Sequence, residues 1–476
     1  MMDTKTITDK NIKIILLIGF SLLLVLINIF RLHYNVFWLD ECYSINSTDS
    51  LEKNLEFIKI DAANPPLYVF ALYLFSSAFG RTPEVYQLFS FIPWMLILLI
   101  SITTVRKKFG YPVAIITILL SSLLQSSLTY MVEVRSYEWG ACLVLLDFLL
   151  LHDILNSDRK HYYVLFVITS LAAAYLHYYC ILAISFFYIA LLFNAFKNKT
   201  ELPITIAASV ITIVGYIPWL IFAYDSIMYT TTIYFQANYI PTFFECISWM
   251  YNGAPNLIVF ILIVCLSIII YKEVKKDGSS NNKKLLWIIA GIGSVFGSVA
   301  VAILVSELLR PLIFLRYFYP VSSVSWLLLA YSISHCWNEK DTLKKPILVA
   351  FIVILLMIGV SNYQSVVTDE DRLNNDTEDT LGKLYFIGEG DYVMTDLYEF
   401  DWAIIHYYLP KARCSYVDLN NIPTIDDQTN TYLFIKQEID ENTINQLNDQ
   451  GYTYELINSK ACLGTCYHYE YRIVAI

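Results

Sequence analysis

Charged side chains are scarce in this chain of 476 residues. Asp, Glu, Lys and Arg make up 16% of it, whereas the hydrophobic set AVILMFWYC makes up 57%. Soluble domains usually carry about 25% charged residues. This shortage excludes intrinsic disorder, a coiled coil and an ordinary soluble enzyme, and it predicts a polytopic α-helical membrane protein.

An excess of basic residues is also missing, since 42 acidic residues outnumber 32 basic ones and the net charge is −10. A protein that binds nucleic acid needs a basic face to neutralise phosphates, so we expect no nucleic acid partner. The nine cysteines form no CxxC pair, which leaves no zinc-ribbon or redox motif.

Long apolar runs dominate what is present. A bilayer core about 30 Å thick requires about 20 helical residues. The runs predict about eleven transmembrane helices, near residues 12–30, 86–105, 112–130, 138–155, 162–177, 181–196, 203–222, 255–271, 284–305, 318–335 and 346–361. The run 66–80 is short for a span, and Pro65 and Pro66 suit a helix start, so we interpret it as an interfacial helix. A short true span with a compensating crossing elsewhere is the alternative.

Lysine and arginine in the connecting segments indicate the orientation. With a cytoplasmic N-terminus, 18 basic residues fall on inner segments and 7 on outer segments of the membrane half. Basic loops stay preferentially in the cytoplasm. We therefore predict an integral cell-membrane protein with a cytoplasmic N-terminus and, for an odd number of crossings, an extracytoplasmic C-terminus.

The composition changes at residue 362. From there to residue 476 the chain has 20 acidic residues and only 7 basic ones. Strand-like runs such as 431–435 alternate there with helix-like stretches such as 438–449. We predict two domains. Residues 1–361 form the transmembrane domain, with a first outer loop at 31–65 and the interfacial helix at 66–80, and residues 362–476 form a small soluble α/β domain outside the membrane.

Acidic and amide side chains mark the first outer loop. Asp40 and Glu41 follow an aromatic pair soon after the first span, and Asp61 and Asn64 precede the run 65–68. A carboxylate near the membrane surface can act as a general base toward a hydroxyl or bind a hard divalent cation. A solvated loop acid is the alternative interpretation.

Further candidates lie at the predicted outer ends of later spans. Glu133, Arg135 and Tyr137 occupy one junction, and charged groups at membrane depth are costly and tend to be functional. His177 lies at another outer turn, where it can donate to an anionic headgroup or shuttle a proton. Arg316 lies in an aromatic run, and the arginine fork suits phosphate. The alternatives are a snorkelling pair, a structural histidine and an anchor for anionic lipid.

At these residues the sequence resembles the GT-C superfamily of polyprenol-phosphate-dependent glycosyltransferases, and most of all the protein O-mannosyltransferase and lipid A aminoarabinose transferase group. The resemblance covers roughly residues 10–340. Its matching pieces include Asp40-Glu41 with Tyr43, Asp61-x-x-Asn64-Pro65-Pro66-Leu67-Tyr68, Phe79-Gly80 followed by Glu84 and Ser90, Glu133-x-Arg135-x-Tyr137 and His177-Tyr178-Tyr179. Asn64 stands where the family usually has His, and Gln87 stands where an Arg is common.

The resemblance implies a GT-C-like fold and an inverting glycosyltransferase that moves a sugar from a polyprenyl-phosphate donor to an acceptor hydroxyl on the extracytoplasmic face. Asp40 would be the catalytic carboxylate, and Glu41 would support it or orient the acceptor. Arg135, His177 and Arg316 are the candidates for the phosphate. The substrate-binding set it implies is Asp61, Asn64, Glu133, Arg135, Tyr137, His177 and Arg316.

Several features of the reaction stay open at this stage. The acceptor is a lipid, a protein or a cell-envelope polymer, so protein glycosylation is one reading. No metal-ligand set is identified, and a divalent cation, Mg²⁺ or Mn²⁺, is the open cofactor alternative. A secondary transporter or lipid flippase, or a scaffold whose acidic tail binds a partner, are the competing classes. A transporter should have polar residues near the midplane of its spans, whereas here they collect at one predicted face.

Overall fold

The computed structural model of the chain describes residues 4–34, 36–60, 64–197, 199, 201–229, 239–251, 255–276, 283–308, 313–337, 342–397, 400–425 and 429–476. Within these ranges the chain forms twenty α-helices and five strands. The first ten helices are α1 (Thr4–Ile29), α2 (Leu39–Asn46), α3 (Leu51–Ile60), α4 (Leu67–Phe79), α5 (Pro83–Ile100), α6 (Arg106–Phe109), α7 (Tyr111–Leu123), α8 (Gln125–Tyr130), α9 (Tyr137–Asn156) and α10 (His161–Ala174).

Ten helices follow, and all five strands lie after α18. The helices are α11 (Tyr178–Lys197), α12 (Leu202–Tyr229), α13 (Tyr239–Trp249), α14 (Pro255–Lys276), α15 (Lys283–Ile292), α16 (Ser298–Leu308), α17 (Tyr319–His335), α18 (Lys344–Lys383), α19 (His406–Tyr408) and α20 (Glu441–Asp449). The strands are β1 (Tyr392–Thr395), β2 (Arg413–Tyr416), β3 (Thr431–Ile435), β4 (Tyr452–Leu463) and β5 (Cys466–Ala475).

Every predicted span contains a helix, which confirms a polytopic helical fold. Among the described residues, six helical stretches are long and apolar enough to cross a bilayer: Asn11–His33, Pro83–Phe109, Tyr178–Lys197, Leu202–Ser226, Lys283–Leu308 and Lys344–Lys383. Three apolar helices are shorter: Leu67–Phe79, Tyr111–Leu123 and His161–Ala174. The first of these is the predicted interfacial segment, and its 13 residues are fewer than the roughly 20 that a span needs.

By contact the chain divides into two compact units. The first comprises Met1–Arg31, Leu55–Leu72 and Gln87–Val366. Its centre is α17, in which every residue from Tyr319 to Ser334 is buried, as expected of a helix that is surrounded by other helices. Beside it, the ring of Trp287 stacks on that of Phe148 with centroids 4.5 Å apart.

The second unit comprises Leu32–Asn54, Tyr73–Tyr86 and Val367–Ile476. It contains a five-stranded sheet of order β2-β1-β3-β5-β4, in which β1 is parallel to β2 and β3, and β5 is antiparallel to β3 and β4. Alternate residues of the strands, such as Met394, Leu433 and Ile473, pack on Leu447 of α20. The predicted small C-terminal α/β domain is therefore confirmed.

Candidate active site

Asp40 and Glu41 lie in the first turn of α2, within the second unit. Trp38 precedes the helix in an extended conformation (φ −82°, ψ 174°), and its backbone N–H donates to Oε2 of Glu41 at 3.2 Å. An acidic side chain that reaches back in this way stabilises a helix start. Glu41 is buried and holds the turn, whereas Asp40 is half-buried.

The helix α2 packs on the segment Phe400–Ile405 of the C-terminal domain, in the same unit. The side-chain amide of Asn46, at the end of α2, donates to the carbonyl oxygen of Ala403 at 3.0 Å. Just beyond α2, Asp49 contacts His406 at 3.4 Å and Lys53 at 2.7 Å. These two partners lower the pKa of the Asp49 carboxyl to about 2, the hydrogen bond to His406 contributing most.

The second part of the outer loop is only partly described. Asp61 lies outside the described residues, whereas Asn64 is half-buried in the turn before α4, in the first unit. The start of α4 is anchored because the backbone N–H of Leu67 donates to the carbonyl oxygen of Tyr175 at 3.0 Å. The structure thus places Asn64 in the unit that does not contain Asp40.

Arg135, His177 and Arg316 come together in the first unit although they lie far apart in the sequence. Arg135 precedes α9, His177 immediately precedes α11, and Arg316 belongs to the 3₁₀ turn Leu315–Phe318 that leads into α17. Helix N-termini carry partial positive charge and exposed N–H groups. The two arginines therefore add full charges to a region that already favours an anion.

A small residue lets the three helices converge. A Cβ on Gly140 of α9 would lie 3.0 Å from Cγ of Pro320 in α17 and 3.1 Å from Sγ of Cys180 in α11. Such separations are shorter than ordinary van der Waals contact, so hydrogen is the side chain that fits there. Because α9, α11 and α17 approach each other this closely near their first turns, their N-terminal ends lie close together.

His177 is buried near both arginines. Its burial, reinforced by the positive charges of Arg135 and Arg316, lowers its pKa to about 3. The backbone N–H of Tyr179 donates to Nδ1 of His177 at 3.3 Å. In a neutral imidazole the other nitrogen, Nε2, then carries the proton and is a hydrogen-bond donor.

Tyrosine rings surround this histidine. The ring centroids of Tyr137, Tyr179 and Tyr317 lie 5.5, 5.7 and 5.2 Å from that of His177. The guanidinium carbon of Arg316 lies 5.8 Å from the centroid of Tyr317, within the range of cation–π attraction. The rings enclose the imidazole, whereas Arg135 and Arg316 are half-buried. Charge interactions are stronger at such partly buried groups than in open water. We call Arg135, His177, Arg316 and the three tyrosines the cation cluster.

Glu133 lies beside this cluster, buried in the turn that carries Arg135. The backbone N–H of Arg135 donates to the carbonyl oxygen of Glu133 at 2.7 Å, which fixes the tight turn between α8 and α9. Of the seven predicted substrate-binding residues, the structure thus groups Glu133, Arg135, Tyr137, His177 and Arg316.

Sequence reasoning missed Glu138 and Tyr319, which are both fully buried. Glu138 is the second residue of α9, and Tyr319 is the first residue of α17. The phenol of Tyr319 donates to Oε2 of Glu138 at 2.6 Å. The signal was present, because an acidic residue inside a predicted span is costly unless it has a partner. Among the described residues, no group of three or more His, Cys, Asp or Glu side chains could hold a metal ion.

Proteins of known structure share the fold of this chain. No family model and no curated protein match the sequence. Two crystal structures of ArnT from Cupriavidus metallidurans are similar in fold. The one bound to undecaprenyl phosphate has a TM-score of 0.59 at 12% identity, and the apo one has 0.58 at 11%.

In both comparisons the similarity covers 96% of this chain and 97% of the ArnT chain. It therefore includes the transmembrane helices and the C-terminal sheet domain alike. ArnT is a lipid A aminoarabinose transferase of the GT-C class. Over nearly its whole length the chain has the fold of ArnT, and the GT-C-like fold that its motifs implied is confirmed.

Proposed function

We propose that this protein is an integral-membrane, inverting glycosyltransferase that takes a sugar from a polyprenyl-phosphate donor. The observation that carries the proposal is the cation cluster, in which two arginines and a neutral histidine converge at three helix starts among tyrosine rings. The ArnT fold supports it, since one of the similar structures holds undecaprenyl phosphate.

The cation cluster has the role of binding the donor phosphate. Arg135 and Arg316 supply charge-assisted hydrogen bonds, and Nε2–H of His177 supplies a neutral donor. As the bond between the sugar and the phosphate breaks, negative charge grows on the phosphate oxygens. Fixed donors at a partly buried site stabilise that charge and accelerate the reaction. Glu133 and Tyr137 shape this site.

Asp40 has the role of general base. It accepts the proton of the acceptor hydroxyl, whose oxygen forms a bond to the anomeric carbon while the bond from that carbon to the phosphate oxygen breaks. Attack from the side opposite the leaving group inverts the anomeric configuration. Glu41 supports this base by holding the first turn of α2, and Asp61 and Asn64 are proposed to bind substrate.

Catalysis takes place, in this proposal, on the extracytoplasmic face, with the acceptor a lipid, a protein or an envelope polymer that offers a hydroxyl. A cysteine at Lys107, which lies in α6 at the predicted inner end of a span, tests the orientation. We expect no labelling there by an impermeant thiol reagent added to intact cells, beyond the labelling of the unmodified protein. Labelling would overturn the predicted topology.

Release of polyprenyl phosphate by the purified protein tests the function. With polyprenyl-phosphate sugars as donors, we expect Asp40→Asn to release the lipid phosphate at least about 100-fold more slowly than wild type, the usual scale for loss of a general base. Asp49→Asn is the matched control, since it removes a carboxylate from the same loop. Equal release by wild type and Asp40→Asn would contradict the role of Asp40. Movement of intact lipid-linked sugar across proteoliposomes without transfer would favour a flippase instead.

A further inference from the structure

Phe37 lies two residues before α2, and one side chain from the C-terminal domain, that of Tyr408, bonds both its backbone N–H and its carbonyl oxygen. The backbone N–H of Phe37 donates to the phenol oxygen of Tyr408 at 2.7 Å, and the Tyr408 hydroxyl donates to the carbonyl oxygen of Phe37 at 3.1 Å. Phe37 is fully buried, so these groups have no access to water. A single hydroxyl, accepting once and donating once, satisfies both.

The turn between β4 and β5 meets the same backbone from another direction. Gly464 lies in this turn with φ +64°, and a Cβ there would overlap the carbonyl oxygen of Phe37. The same Cβ would lie 3.5 Å from Cα of Trp38. Only a glycine allows the hairpin to approach the loop this closely, and only a glycine adopts this backbone conformation without strain.

Asp40 lies only three residues after Phe37, whose backbone is held by Tyr408. Phe37 and Trp38 immediately precede the helix whose second residue is Asp40, and Asn46 at the other end is bonded to Ala403 of the C-terminal domain. Both ends of α2 are therefore held by hydrogen bonds to the C-terminal domain, and all of these residues belong to the second unit. The direction of the Asp40 side chain depends on the position of this short helix.

We propose that the C-terminal domain positions the catalytic base, with Tyr408 and Gly464 as the positioning residues. This inference rests on the proposed function, because it assigns a purpose to holding Asp40. Displacing a catalytic group by about 1 Å can cost about 100-fold in rate, so small shifts of α2 should be visible in turnover. Binding of the donor phosphate is assigned to other residues and should not change.

The adjacent tyrosine provides a matched control for Tyr408. The ring of Tyr407 packs edge-on against Phe37 with centroids 5.4 Å apart. Unlike Tyr408, its hydroxyl has no hydrogen-bond partner among the residues that the structure describes. We expect Tyr408→Phe to lower kcat about 10-fold or more, with the KM for the donor unchanged, and Tyr407→Phe to leave both near wild type.

Two glycines allow the same comparison at the hairpin. Gly451 also has positive φ, +84°, but a Cβ there would have no atom within 4 Å. Gly464→Ala and Gly451→Ala therefore share the strain of positive φ, and only the first pushes on Phe37. We expect Gly464→Ala to lower kcat about 10-fold or more and Gly451→Ala to leave it within about 2-fold of wild type.

Hydrogen exchange of the full-length protein tests the attachment without relying on activity. We expect the amides of residues 37–46 to lose protection in Tyr408→Phe and Gly464→Ala, and to keep it in Tyr407→Phe and Gly451→Ala. Unchanged exchange, or a kcat equal to wild type in Tyr408→Phe, would overturn the positioning role. If wild type released no polyprenyl phosphate from any donor, the proposed function would fail, and the exchange pattern would still decide whether the tail holds α2.

Discussion

Tyr319 donates a hydrogen bond of 2.6 Å to Glu138, and both side chains are fully buried. Each residue lies three positions after an arginine of the cation cluster, since Arg316 precedes Tyr319 and Arg135 precedes Glu138. The bond therefore joins the starts of α17 and α9. It fixes the separation of the two turns that carry the arginines.

Removal of the Tyr319 hydroxyl should destabilise the protein and weaken lipid phosphate binding. Tyr319→Phe leaves Oε2 of Glu138 buried without its donor, at a cost of about 1–3 kcal/mol. Tyr163→Phe is the control, since its hydroxyl bonds Thr205 at 3.1 Å between α10 and α12. We expect thermal unfolding in detergent to show a lower Tm for both variants, and binding of polyprenyl phosphate to weaken only in Tyr319→Phe. Equal binding by both variants would contradict this bracing role.

Replacement of Arg316 should weaken the affinity for a polyprenyl phosphate more than replacement of an arginine elsewhere. A hydrogen bond to a charged group contributes about 1.5–3 kcal/mol, so Arg316→Gln should raise the Kd about 10- to 150-fold. Arg316→Lys keeps the charge but loses the planar fork, and its Kd should fall in between. Arg106→Gln is the control, because Arg106 donates to the carbonyl oxygen of Ile102 instead. Calorimetric titration would measure all three, and a wild-type Kd in Arg316→Gln would exclude the residue from the phosphate site.

The pH dependence of stability should carry the signature of His177. Its pKa of about 3 in the folded protein lies below the value of about 6.5 for an unfolded chain. As the pH falls below about 6.5, the unfolded chain binds a proton that the folded protein does not, so stability declines progressively towards pH 3. We expect His177→Gln to reduce the fall in Tm between pH 7.5 and pH 5. An equal fall in wild type and His177→Gln would show that His177 is protonated in the fold.

The C-terminal sheet contains a buried pair of ionisable side chains. Nε2 of His468 lies 3.0 Å from Oε1 of Glu470, and both side chains, two residues apart on one face of β5, have no exposed surface. His468→Leu leaves the buried carboxyl without its partner, and a buried polar group left unpaired costs about 1–3 kcal/mol. We expect limited proteolysis of the full-length protein to cleave the tail domain faster in His468→Leu than in His468→Leu combined with Glu470→Met. Slower cleavage of the single variant would contradict the pairing.

The sequence predicted the helices well because apolar run length is a local property. It could not predict that the run 112–130 divides into α7 and α8, where Leu124 leaves the helical conformation (φ −70°, ψ 146°). Nor could it predict the π-helical turn Gly293–Gly297, where both glycines face the ring of Phe186 in α11. The side-chain amide of Asn362 in α18 donates to the carbonyl oxygen of Leu123, next to the first of these features. Both features therefore involve contacts between helices that are distant in the chain.

For the same reason the sequence predicted some residues of the candidate site and missed others. Arg135 and His177 stand out because a charged or polar residue interrupts an apolar run, which is visible in the sequence alone. Tyr408 does not stand out among 37 tyrosines, and its contact with Phe37 spans 371 positions. The role of Gly464 likewise cannot be predicted from the sequence, because it depends on the contact with the backbone of Phe37.

The tyrosine rings around His177 bear on how fast the proposed enzyme turns over. The donor phosphate is a diester with one negative charge, whereas the released polyprenyl phosphate is a monoester with a charge between about −1.5 and −2 at neutral pH. At a cluster whose histidine is enclosed by rings and whose arginines are half-buried, the same two arginines hold the more highly charged species more tightly. We therefore expect a burst of sugar transfer in the first turnover, followed by a slower steady state that is limited by exchange of the spent lipid.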